Sequence, residues 1–294
     1  MKKAYACVFA AALLFATMEV ACKIGGNNLD PFQLTFIRFA IGGLVLLPFA
    51  LKDIRKNETK LTARDFVILA GIGTLGIAVS MVLFQISVNT SNASTVSVIF
   101  SMNPFFTMTF AHIFTSEKMN RYKAAALAIA LAGIVFMFRP WDIQEGNTAL
   151  GMTLMVLAAL VFGLYTVLSK YSIRKMGLMA QTSISFLLGS FVLMIIIILM
   201  GRPVLGGVTE SIPIIIYTGI LVTGMGYFFY FKAIELADAT TGSYVFFLKP
   251  AMAPVFAVIV LNETLLWNTY VGIILVLAAS LLNLIYQKKA TKKL

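Results

Sequence analysis

The chain has 294 residues, of which 60% are hydrophobic and only 12% charged, and its mean hydropathy is +0.93. A soluble globule of this size needs far more polar surface, so the composition excludes that class and marks an integral membrane protein. The net charge of +11 would suggest nucleic acid as the partner of a soluble protein. Here the basic residues sit in short loops between apolar runs, a pattern that orients a membrane protein and implies no nucleic-acid partner.

Apolar runs of about 20 residues can cross a hydrocarbon core as helices, and they cover roughly residues 4–23, 31–51, 66–87, 93–114, 122–138, 150–170, 179–200, 212–232, 239–261 and 267–287. They predict an all-α integral membrane fold of ten transmembrane helices. The alternating short segments of a membrane β-barrel are absent. The first run follows Lys2 and Lys3 as a signal peptide would, but it carries a carboxylate and nine more runs follow, so it is read as the first helix. Cys7 and Cys22 both fall within it, have no set of metal ligands around them, and are read as apolar filler.

In the third run Gly71, Gly73 and Gly76 fit a GxGxxG pattern, but inside a membrane span, without the strand and phosphate-binding helix end of a dinucleotide site. They are read as points where helix backbones approach closely. His112, the only histidine, ends the fourth run and is read as a polar tip near the interface rather than a proton relay. No Walker A, HExxH or GxSxG pattern occurs, and the connecting segments are too short to hold a catalytic domain. No catalytic residue, metal site or cofactor is expected.

The chain repeats itself. Ala93 to Met119 aligns without a gap on Ala239 to Leu265, matching Phe100 with Phe246, Pro104 with Pro250 and Glu117 with Glu263. Leu13 to Val45 aligns likewise on Leu160 to Val192, matching Phe15 with Phe162, Lys23 with Lys170 and Phe39 with Phe186. Proline and acidic residues are scarce here, so the paired prolines and glutamates carry the argument, and the chain reads as one unit written twice, over residues 1–144 and 145–294. With the amino terminus in the cytoplasm most basic residues fall on that side, while only Lys23, Arg139 and Arg202 fall on the other. Both termini are therefore expected inside. An odd number of spans per unit makes the second enter the membrane from the opposite side, giving two inverted five-helix repeats around a central cavity, a recurrent plan of secondary transporters.

Three charges lie inside spans, where each is costly unless paired or facing a cavity: Glu19, Arg38 and Lys249. At about 1.5 Å per residue, Glu19 lies roughly 6 to 8 Å and Arg38 roughly 10 Å below the outer surface, on consecutive helices. The two are expected to pair, either as a structural ion bridge or as part of a substrate or proton site. Lys249 falls near mid-depth with no intramembrane acid left for it, opposite Asn103 in the repeat. Asn103 and Lys249 precede the paired prolines, Pro104 and Pro250, each of which removes a helical hydrogen bond and is expected to kink its helix. Loosened helices with polar residues at mid-depth are where transporters keep their sites, so Lys249 and Asn103 are candidate substrate-binding residues. A helix kink with a snorkelling lysine is the alternative. Phe246 belongs to the same aromatic group, and Tyr230 and Tyr244 carry hydroxyls that need partners at depth, which adds them to the candidate substrate site.

These residues carry a resemblance. Lys23 with Pro31, Arg38 and Phe39 running into Leu47 and Pro48, then Asn103 and Pro104 with Glu117, then Pro250 with Glu263 and a closing helix with a basic tail, are similar to the EamA-type ten-helix members of the drug/metabolite transporter superfamily over essentially the whole chain. The resemblance implies a central cavity and export or exchange of amino acids, other metabolites or toxic compounds. Where that family often has an acid before the second proline, this chain has Lys249, which favours an anionic group on the substrate. Glu19 resembles the first-helix glutamate through which the related four-helix small multidrug resistance proteins exchange protons for cations.

The sequence thus reads as a secondary active transporter, not an enzyme, in the cytoplasmic membrane. Its expected partners are the lipid bilayer and a small organic substrate, with efflux of amino acids or related zwitterionic or anionic compounds favoured. Proton-coupled export of lipophilic cations is the alternative. An intramembrane enzyme acting on lipids, or a scaffold or receptor that transports nothing, would be readings from other classes.

Overall fold

A computed structural model describes residues 2–115, 121–138, 145–237 and 239–291. Among these residues the chain is helical with no strand. Its helical runs are α1 (Lys2–Gly25), α2 (Pro31–Lys56), α3 (Ala63–Thr90) and α4 (Ala93–Phe114), α5 (Arg121–Phe138), α6 (Ala149–Met176), α7 (Leu178–Leu199) and α8 (Thr209–Leu236), α9 (Ala239–Leu261) and α10 (Trp267–Thr291). Eight of them are long and apolar enough to cross a membrane, α9 through its Tyr244–Leu261 part, whereas α5 and α10 contribute shorter apolar stretches, Ala124–Met137 and Trp267–Leu282. The fifth and tenth expected spans correspond to α5 and α10, whose apolar stretches among the described residues are the shorter ones. Glu117 and Arg139 lie outside the described residues.

Local chemistry sets the helix starts. Asp30 caps α2, accepting from Phe32 N at 2.9 Å with Pro31 in the first turn. Thr62 and Asp65 form a reciprocal capping box on α3, and Thr148 caps α6 by accepting from Gly151 N at 2.9 Å. Only Gly177 separates α6 from α7; its φ of +91° is a conformation that side chains rarely adopt.

The helices interlock across the chain rather than in sequence. α2 packs along α7 and α5 along α10, while α1 packs on α8 and α9 and α6 packs on α3 and α4. The α2–α7 pair is bolted at both ends, by Asp30 to Arg202 at 2.6 Å and by Met179 N donating to Asp53 Oδ2 at 3.1 Å. Between them Ser183 Oγ donates to Gly43 O at 2.8 Å, and similar hydroxyl bridges join α3 to α6 through Ser80 to Ala158 O and Ser87 to Gly151 O. Such bonds matter where water is not available to satisfy polar groups.

Of the α3 glycines, Gly73 meets Gly189 of α7, where an added Cβ on Gly73 would lie 2.2 Å from Ser185 O; a Cβ on Gly71 would meet nothing. Close backbone approach thus explains Gly73 but not Gly71. Phe9, Val67, Leu199 and Ile259 lie on the outside and are more than half exposed, as suits a surface solvated by lipid.

Candidate functional site

A cavity of about 340 Å³ lies between the two halves of the chain, within the size range of small-molecule sites. Residues matched by the internal repeat line it in pairs: Phe15 with Phe162, Met18 with Tyr165, Phe100 with Phe246 and Asn103 with Lys249. Tyr227, Tyr230 and Phe231 of α8 extend the aromatic wall. Tyr230 and Phe246 stand edge to face at 5.5 Å, and Phe15 and Tyr227 at 5.1 Å. The cavity reaches Ile173 and Leu178 at the α6–α7 junction, past Ser169, Gln181 and Thr182.

Helix α4 opens at this point. Its two segments, Ala93–Phe100 and Asn103–Phe114, are separated by a turn at Ser101 and Met102, with Pro104 in the first turn of the second. The Ser101 hydroxyl donates back to Ser97 O at 2.7 Å, a carbonyl that also accepts from Ser101 N at 3.1 Å. In α9, Pro250 and Pro254 lie inside an unbroken helix, and the position of Ser101 is taken by Phe247, which has no hydroxyl to offer. The expected loosening therefore occurs at Pro104 and not at Pro250.

The three intramembrane charges are nearly inaccessible, with Glu19, Arg38 and Lys249 exposed by 1%, 0% and 2%. Their pairing differs from the sequence expectation. Lys249 Nζ lies 2.6 Å from Glu19 Oε1, so Lys249 does have an intramembrane acid, and Glu19 contacts it rather than Arg38. The physical reason is packing: α1 runs against α9, a neighbour that counting depth along consecutive spans cannot anticipate. Lys249 also lies 5.0 Å above the Phe100 ring.

Arg38 is instead enclosed by soft, polarizable groups. Its guanidinium donates to Met18 Sδ and Met81 Sδ at 3.6 Å each and stacks 4.5 Å from the Phe39 ring and 5.5 Å from Phe84, while Nε has no partner. Among the described residues it makes no ion pair. Its field nevertheless acts on Glu19, together with that of Lys249.

Asn103, Tyr230, Phe246 and Lys249 thus line one cavity, together with Pro104. Tyr244 stands apart from it, its ring 6.3 Å from that of Tyr5. Glu19 and Arg38 sit behind the wall. Asn103 Nδ2 is buried without a hydrogen-bond partner, a donor available to a ligand.

Sequence reasoning missed the neutral polar group of α6 and α7. Gln181 Nε2 donates to Ser169 Oγ at 2.9 Å and to Ser185 Oγ at 3.4 Å, and the Tyr165 hydroxyl meets Ser185 Oγ at 3.4 Å. The available signal was the four-residue spacing of Tyr165 with Ser169 and of Gln181 with Ser185, which puts each pair on one helix face.

At the far end of the bundle from the α6–α7 junction, Glu263 closes the gap between α9 and α4. Its carboxylate accepts from Ala93 N at 2.6 Å, Ser94 N at 3.0 Å and Ser94 Oγ at 2.6 Å. A carboxylate is well placed at a helix amino terminus, where N–H groups are unsatisfied. Lys23 Nζ lies 3.5 Å from the same carboxylate and donates to Ser91 O at 2.6 Å. Lys23 and Glu263, separate marks in the sequence, form one latch.

Comparison with known proteins agrees with this architecture. The EamA-like transporter family matches residues 2–139 and again residues 149–285. An uncharacterized transporter of Clostridium kluyveri is 36% identical over 99% of this chain and 96% of its own. An S-adenosylmethionine uptake transporter of Rickettsia bellii is 25% identical over 94% and 91%. A protein crystal structure with 17% identity shares the fold at a TM-score of 0.67 over 99% of both chains. The family match covers nearly the whole chain, and the protein is a multi-pass membrane transporter belonging to the EamA-like transporter family.

Proposed function

We propose that this protein is a secondary active transporter that exports small organic metabolites, amino acids and related zwitterionic or anionic compounds, across the cytoplasmic membrane. The observation that carries the reading is the pair of buried donors on the cavity wall, Lys249 Nζ and the unpartnered Asn103 Nδ2. In a low-dielectric cavity both can donate to a carboxylate, and Lys249, whose partner Glu19 lies behind the wall, presents its positive charge on the substrate side. Tyr230, Phe246 and the other rings would hold the apolar body of the substrate.

The reading includes a topology: ten spans as two inverted repeats, residues 1–144 and 145–294, with both termini cytoplasmic. In that arrangement the cavity extends to the cytoplasmic end of α6 and α7, and the Glu263 latch seals the outer end. Repeated opening of one end and closing of the other around a fixed site would then carry the substrate across.

Export of lipophilic cations would need a carboxylate facing the cavity, whereas Lys249 lines it and Glu19 lies behind. The S-adenosylmethionine of the Rickettsia relatives carries an amino-acid head group beside a cationic sulfonium, so it enters the panel as a probe that combines a carboxylate with a net positive charge. The test is transport by purified protein in liposomes of single amino acids, S-adenosylmethionine and one lipophilic cation, for the unaltered chain and for Lys249→Gln, in both directions. Carboxylate transport should fall steeply in the variant while cation transport holds or rises. Full carboxylate transport by Lys249→Gln would refute the assignment.

A further inference from the structure

The charge count of the site is unbalanced. Two cations, Lys249 and Arg38, share one carboxylate, Glu19, and all three are almost wholly buried, so with all three ionised the cluster carries a net charge of +1. Lys249 and Arg38 are the charged groups that act on Glu19. A net charge held away from water is costly, and structures normally neutralise it with a partner. Arg38 has none among the described residues, only thioethers and ring faces, with Nε unpartnered. Glu19 Oε2 likewise has no hydrogen-bond partner.

We propose that the missing negative charge is supplied by the substrate, so that the site takes a compound of net charge −1, and that Arg38, although it does not line the cavity, is the residue that sets this charge. The inference rests on the transport reading above and narrows its substrate class. The substrate's anionic group accepts from Lys249 Nζ and Asn103 Nδ2. Lys249 then no longer needs Glu19, whose carboxylate turns its free oxygen to Arg38. Two cations now face two anions and the occupied site is neutral. A zwitterion would leave the cluster at +1, and a cation would raise it to +2.

The test reads charge preference independently of the substrate's body. For each common amino acid with an uncharged side chain, three probes share one skeleton: the anionic N-acetyl acid, the zwitterionic free amino acid and the cationic amino-acid amide. Binding is measured as thermal stabilisation of the purified full-length protein in detergent, with N-acetylglutamate and N-acetylaspartate added as dianions. For whichever skeletons bind, the N-acetyl acid should bind about ten-fold or more tighter than the free amino acid. Arg38→Gln brings the cluster to neutrality and should move the preference to the zwitterion; Glu19→Gln raises it to +2 and should move it to the dianions. The two variants shift in opposite directions, so either one that folds is informative, and a merely structural role would move neither preference. A wild-type preference for the zwitterion would overturn the charge count while leaving the carboxylate-transport reading intact. Binding of no probe of any charge would overturn that reading and the inference with it.

Discussion

Replacing Glu19 and Lys249 with glutamine, singly and together, measures the contact at the centre of the molecule. At 2.6 Å, and with an effective dielectric constant of about 20, the direct attraction is about 6 kcal/mol. Much of it offsets the cost of removing both groups from water. Losing one partner strands the other, which in buried pairs costs about 3–5 kcal/mol. Losing both removes the stranded charge as well, so the double variant should be more stable than the sum of the single losses predicts, by about 3 kcal/mol. The assay is denaturant titration of the purified protein, with the four chains compared as a double-mutant cycle. The Glu19→Gln and Arg38→Gln cycle serves as a control with smaller coupling, because Arg38 acts on Glu19 without touching it. Additivity of Glu19→Gln and Lys249→Gln to within about 0.5 kcal/mol would refute the pairing.

Glu263→Gln should loosen the latch between α9 and α4: with three charge-assisted bonds weakened by about 3 kcal/mol in all, hydrogen exchange at the amides of Ala93 and Ser94 should quicken about a hundred-fold, and unchanged protection would count against the cap. Gly73→Leu should abolish folding because a Cβ there would already meet Ser185 O at 2.2 Å, whereas Gly71→Ala should hold or raise stability, by up to about 1 kcal/mol; similar expression and melting of the two would contradict the crossing. Asn103→Leu should leave the melting temperature unchanged, since Nδ2 has no protein partner, yet weaken carboxylate binding about ten- to a hundred-fold by removing a donor to a charged group. In a chain with Cys7 and Cys22 replaced by Ala, cysteines at Asn57 and Glu210 should react with a membrane-impermeant maleimide from opposite faces, and reaction from the same face would refute the proposed topology.

Much of the architecture is legible because membrane helices announce themselves by length and hydropathy, as α1 to α4 and α6 to α8 do. The shorter apolar cores of α5 and α10 are harder, since a run of that length also fits a buried helix. The site was partly legible for a different reason: the duplicated proline motif led to Asn103 and Lys249, and both line the cavity. What stayed hidden depends on which helices touch. Glu19 looked closer to Arg38 because α1 and α2 are consecutive, while its contact comes from α9 near the other end of the chain. Gln181 and Ser169 stayed hidden because neutral polar residues in apolar helices often bond only to their own backbone, and only the folded structure turns these two toward each other.

That long-range contact also has a consequence for how the chain is made. Glu19 lies on α1 and its partner Lys249 on α9, so Glu19 is synthesised long before the group it contacts. During most of translation the glutamate is therefore without the group that holds it in the finished protein, and a nascent chain at that stage keeps it at a water-lined or translocon-lined position or carries it protonated. Chains stopped before α9 never leave that condition. A chain that ends before α9 lacks the cation that pairs with Glu19 in the finished fold, so the first half depends on the second for the neutralisation of its buried acid.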